Sequence, residues 1–143
     1  MAERHTINSM IIMINRIKLF LMIGLSMLYT PYLESRYGLR EMFGILSKNK
    51  RQLRCDKDSI RRYVHVWIGI GGILKTQHCW NRTLLLYTFL KSARYNAVIY
   101  VGIRKDAIGK TSIVGHSWVA IDGRVFDDRE DVADDHYITF HYP

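Results

Sequence analysis

The chain has 143 residues, 48% of them hydrophobic, and 21 Lys and Arg against 13 Asp and Glu give a net charge of +8. That length suits one domain with a substantial core. Two cysteines exclude a disulfide scaffold, and only two prolines beside abundant Leu, Ile, Val and Tyr exclude a disordered or collagen-like chain.

The charge is uneven. Six of the thirteen acids lie in the last seventeen residues, so residues 1–126 carry 20 basic and 7 acidic groups, a net of +13. Nine of those basic groups fall between Arg36 and Arg62. Such a field favours nucleic acid, anionic lipid or an acidic peptide, although a basic face that only maintains solubility is the simpler reading of charge alone.

Ile7 to Leu33 is strongly apolar. A secretory signal would need a small-residue cleavage site, which Ser26 to Pro31 lacks; a membrane span is cut short by Asn15, Arg16 and Lys18. Ile11, Ile14, Lys18, Leu21, Met22, Leu25 and Leu28 share one helical stripe. The pattern predicts a long helix ending near Thr30-Pro31, with that stripe turned to the core or to a partner in preference to a membrane.

Leu39 to Leu53 reads as a weaker, basic amphipathic stretch. Asp58 or Ser59 is placed to cap a helix through Ile60, Tyr63, Val64 and Trp67, and Gly69, Gly71 and Gly72 then read as breaks. Two nucleotide motifs fail. Leu74 stands where a dinucleotide fingerprint needs its third glycine, and Arg104 where a P-loop ending at Gly109-Lys110-Thr111 needs its first.

From Cys79 to Lys91 the chain reads as a buried helix with Cys79 in its first turn. There the positive helix end and unpaired N–H groups favour a thiolate, while a small buried residue opening a core helix is the plain alternative. Strands follow at Ala97–Ile103, Ile113–Ile121, Arg124–Phe126 and Tyr137–Tyr142, with Asp122-Gly123 as a hairpin signal. The expected class is α+β, with N-terminal helices before a mostly antiparallel sheet. The hairpin has two registers. A two-residue turn sets His116 against Arg129, whereas a three-residue loop sets it directly across from Asp128, where a carboxylate orients an imidazole.

Three blocks, Cys79-Trp80-Asn81-Arg82-Thr83-Leu84, Val98-Ile99-Tyr100-Val101-Gly102-Ile103-Arg104 and His116-Ser117-Trp118-Val119-Ala120-Ile121-Asp122-Gly123, together resemble the lasso-peptide leader peptidases. These are stand-alone, transglutaminase-like maturation proteins of bacterial gene clusters, and the resemblance covers roughly residues 55–143. It implies a transglutaminase-like, papain-like cysteine peptidase core at 55–143 behind a helical region at 1–54, in one domain located in the cytoplasm. It further implies Cys79 as nucleophile, His116 as general base and Asp128 as third member, with Asp127 ranked behind it. Gln77 or Trp118 is a candidate second oxyanion donor, and Arg82 a brace for the helix. Ser117 departs from the alanine usual in relatives, and Tyr95-Asn96 from their glycine before the first strand.

The implied partners are a leader–core precursor peptide, a separate small leader-recognition protein and a macrolactam-forming cyclase. No cofactor, metal or nucleic acid is expected. The helix at residues 10–33 and Arg51, Arg54, Arg61 and Arg62 are candidates for partner docking. Two other readings remain open at this stage: an acyltransferase using the same three residues, and a non-catalytic basic protein binding membrane or nucleic acid.

Overall fold

The computed structural model describes residues 2–47, 53–73, 78–107 and 115–143. Helices α1 (Ala2–Arg36), α2 (Leu39–Ser47), α3 (Lys57–Ile73) and α4 (His78–Ser92) precede strands β1 (Ala97–Arg104), β2 (Gly115–Ile121), β3 (Arg124–Phe126) and β4 (His136–Tyr142). The strands form one antiparallel sheet in the order β3-β2-β1-β4. The architecture is α+β.

Helix α4 is the hub. Leu84, Leu85, Leu86, Tyr87 and Leu90 cover its whole circumference and are all buried, as expected of a helix that packs on other helices and on a sheet together. It touches α1, α2 and α3 as well as β1 and β2. Phe43 of α2 enters the same core, packing edge-on to Tyr87 and stacking on Phe140 and Tyr142 of β4. The hydroxyl of Tyr87 donates to the Pro143 carbonyl at 2.9 Å. Helix α4 ends on Arg94 with φ +66°, while the Tyr95 N–H returns to the Leu90 carbonyl. The left-handed residue before β1 is thus Arg94.

Several boundaries differ from the expectation. Helix α1 does not stop at Thr30-Pro31 but runs to Arg36. Pro31 has no N–H for the Met27 carbonyl, and the Thr30 hydroxyl donates back to the Ser26 carbonyl at 2.8 Å. Packing of Leu33 on the core carries the helix past the proline. The α3 cap is Asp56, two residues before Asp58: its carboxylate accepts both the N–H (2.7 Å) and the hydroxyl (2.8 Å) of Ser59. Gly69, Gly71 and Gly72 lie inside α3 and do not break it.

The apolar stripe predicted for α1 exists but faces outward. Leu21, Leu25 and Leu28 are exposed, and the helix docks instead through Leu19, Ile23, Met27 and Leu33. Gly24 marks the closest approach: a Cβ there would overlap the Trp67 ring, whose indole N–H donates to the Phe20 carbonyl at 2.8 Å. Gly24→Val is therefore expected to destabilise the fold by about 1–3 kcal/mol through overpacking. A melting temperature equal to or above that of the parent protein would contradict this docking.

The Asp122-Gly123 turn has two residues, with φ values of +50° and +78° and Ile121 paired to Arg124. Both positive angles suit a turn whose twist matches that of its strands.

Candidate active site

Cys79 is the second residue of α4, so its N–H is one of the four that a helix leaves without an internal partner. Its sulfur lies 3.4 Å from His116 Nδ1 and 3.3 Å from the Ser117 hydroxyl. The start of α4 is held to β2 by Thr83, whose hydroxyl is 2.9 Å from the Ser117 carbonyl and 3.0 Å from the Cys79 carbonyl. The buried helix and the ribbon therefore meet at these side chains.

His116 Nε2 lies 2.8 Å from Asp128 Oδ2. A ring that donates from Nε2 to a carboxylate leaves Nδ1 bare, and Nδ1 is the atom facing the thiol. The three-residue register would align this pair directly, but it is not the register formed. The turn is the two-residue one, which extended along the ladder would set Arg129 against His116, but the ladder stops at Phe126. Asp127 then adopts φ +65°, the chain leaves the strand, and Asp128 reaches the imidazole.

Asp128 is held by more than the histidine. Oδ2 also accepts from Arg82 Nη2 at 3.0 Å, and Oδ1 from the Arg129 N–H at 2.8 Å. Burial pushes its carboxyl up, but the Arg129 N–H, the His116 ring and the Arg82 guanidinium outweigh that and hold it below the ordinary 3.8. A lowered folded-state value means that ionised Asp128 stabilises the fold above the ordinary value. That stabilisation is lost as pH falls through the folded value. The stability gap between the parent protein and Asp128→Asn should accordingly be widest near neutral pH and shrink in acid, read from urea midpoints. A gap independent of pH would show that the carboxylate charge plays no such part.

Asp127 faces elsewhere. Both its oxygens approach His65 Nε2 of α3 (2.7 and 2.8 Å), and Arg82 Nε lies 3.8 Å away. Trp118 is buried, its indole stacked on Tyr100 and on the His116 ring at centroid distances of 5.8 and 6.1 Å. It packs the imidazole from one side. Gln77 and Arg51 lie outside the described residues. Arg61 pairs with Asp58 at 3.0 Å and lies over the Phe126 ring, and with Arg62 it lines an open groove shared with His65 and Asp127. Arg54 lines a different groove, beside Leu19 and Cys55.

Arg82, His65 and Ser117 were not assigned to the site from the sequence. Arg82 had a readable signal, since three residues after Cys79 on a helix is the same face one turn on. For His65, sixty-two residues from Asp127, no local signal exists.

A cleft of about 440 Å³ opens beside His116 and Asp128, with Arg104, Arg129 and His136 on its walls. His136 is buried, donates from Nδ1 to the Val132 carbonyl at 2.8 Å and packs against the His116 ring.

The family model of the transglutaminase-like superfamily matches residues 26–139. The chain belongs to that superfamily. Its members include cysteine peptidases and acyltransferases, and in this transglutaminase-like chain the matched region takes in Cys79, His116 and Asp128. No curated protein and no solved structure matches the chain.

Proposed function

We propose that this transglutaminase-like protein is a cytoplasmic cysteine peptidase that removes the leader from a ribosomally made lasso-peptide precursor. The observation that carries the peptidase chemistry is the chain of contacts from the Cys79 sulfur to His116 Nδ1 and from His116 Nε2 to Asp128. The leader-peptidase assignment rests on the resemblance of the three sequence blocks.

The chemistry follows acyl-transfer logic. His116 Nδ1 takes the Cys79 proton, and the thiolate sulfur bonds to the carbonyl carbon of the leader's last residue. The carbonyl electrons move to oxygen, where the Cys79 N–H, which has no partner inside α4, is the first donor. On collapse the C–N bond breaks, the imidazolium proton goes to the departing amine, and a thioester remains. His116 then takes a proton from water as it attacks the thioester carbon; the C–S bond breaks, the imidazolium proton returns to the Cys79 sulfur, and the leader leaves with a free carboxylate. Asp128 keeps the imidazole oriented and supports its positive charge, and the Ser117 hydroxyl is a second donor within reach of the thiolate.

A small leader-recognition protein would present the precursor, and the grooves lined by Arg54 and by Arg61 and Arg62 are the basic sites offered for it; the cyclase acts afterwards on the released core. The test mixes the protein, such a partner and the precursor, and weighs the fragments. Leader with a free C-terminal acid supports the proposal. An amide cross-link to an amine would indicate an acyltransferase instead, and intact precursor would remove the enzymatic reading.

A further inference from the structure

Helix α1 has two apolar faces, of which the core uses one. The inner face, Leu19, Ile23, Met27 and Leu33, is buried. At 100° per residue, Ile14, Leu21, Leu25, Leu28 and Tyr32 lie on the opposite side of the axis, and each is more than half exposed. Toward its start the helix is apolar all round: Met10 to Ile14 are consecutive, together pass a full turn, and are all about half exposed. Soluble monomers rarely present an apolar surface of this extent.

From this we infer that α1 is a membrane-surface helix, lying in the headgroup region of an anionic bilayer with its outer face toward the acyl chains. Three observations select lipid over a protein groove. A rigid groove fits one stripe of constant width, whereas the exposed apolar surface of α1 widens at Met10 to Ile14, and a fluid layer of headgroups and acyl chains adapts to that change. The charges along the outer face are cationic: Lys18 and Arg36 stand eighteen residues apart on one edge of it, placed to reach headgroup phosphates while their stems stay apolar. The single acid between Met10 and Arg36, Glu34, takes the Trp80 indole N–H. Finally, Tyr29 and Tyr32 pack together at the C-terminal end, with the Arg36 guanidinium 5.9 Å over the Tyr32 ring, a pairing suited to the boundary between headgroups and water.

The helix lies on the membrane and does not cross it. Its length and mean hydropathy of 1.8 would allow a crossing, but the inner face is committed to the core and Trp67 is bonded to the Phe20 carbonyl. A crossing would strip both away. The net of +13 over residues 1–126 adds long-range attraction to an anionic surface. This inference is independent of the catalytic reading.

The test is sedimentation of the full chain with vesicles of phosphatidylcholine alone or mixed with phosphatidylglycerol. Binding is expected to the mixed vesicles, to weaken in high salt, and to fall about tenfold for each of Leu25→Glu and Leu28→Glu. These positions are exposed, so circular dichroism should remain that of the parent; Cys79→Ala should bind normally. Three results would overturn the inference: protein left in the supernatant with both vesicle types, Leu→Glu variants that bind as well as the parent, or a lipid-free dimer abolished by the same substitutions, which would assign the face to a second copy.

Discussion

Cys79→Ala is expected to stop precursor cleavage, with turnover falling on the order of a millionfold toward background, as when an acyl-transfer site loses its nucleophile. The fold should persist. The sulfur is partly buried at the start of α4, and the residues that secure that end, Thr83 and the Leu84–Leu86 run, are untouched. Cys55→Ala should leave turnover unchanged, because burial, followed by the Asp56 charge, pushes the Cys55 thiol up to about 11, so it is protonated near neutral pH. The check is mass-spectrometric cleavage by both variants beside circular dichroism. Cleavage retained by Cys79→Ala would remove the nucleophile assignment.

Asp128→Asn is expected to reduce turnover by between about a hundredfold and ten-thousandfold. An amide in place of the carboxylate both weakens support for the imidazolium and permits the ring to turn its other nitrogen. Asp127→Asn should do little to turnover, since its contacts run to His65 and Arg82 and not to His116, and asparagine tolerates the φ of +65° found there. A kcat loss confined to Asp128 therefore separates two adjacent carboxylates that the sequence left as first and second choice. Equal losses would mean that the shared Arg82 bridge matters more than the His116 contact.

Much of the fold was legible because several local signals agreed. The Leu84–Leu86 run identified a helix buried on more than one face, and Asp122-Gly123 located the hairpin to the residue. The failures in α1 share one cause, which is that long-range packing outweighs local preference. Pro31 locally favours a helix end, yet Leu33 beyond it is in the core. The outer stripe of α1 has the regular spacing of a buried face, but the opposite face docks, through Leu19, Ile23, Met27 and Leu33 and with Trp67 close against Gly24. In the site, Cys79 and His116 were readable through helix position and motif. The route by which Asp128 arrives was not, because it depends on an aspartate leaving the β region at position 127. That conformation is uncommon enough outside glycine that sequence pattern does not announce it.

The most direct test of a reactive sulfur poised by an imidazole is limited alkylation of the folded protein with iodoacetamide at neutral pH, with the modified residue located by peptide mass. Cys79 should be modified rapidly and Cys55 hardly at all, and His116→Ala should slow Cys79 labelling toward the rate of an ordinary thiol. Equal labelling of both cysteines, or a Cys79 rate indifferent to loss of His116, would contradict it.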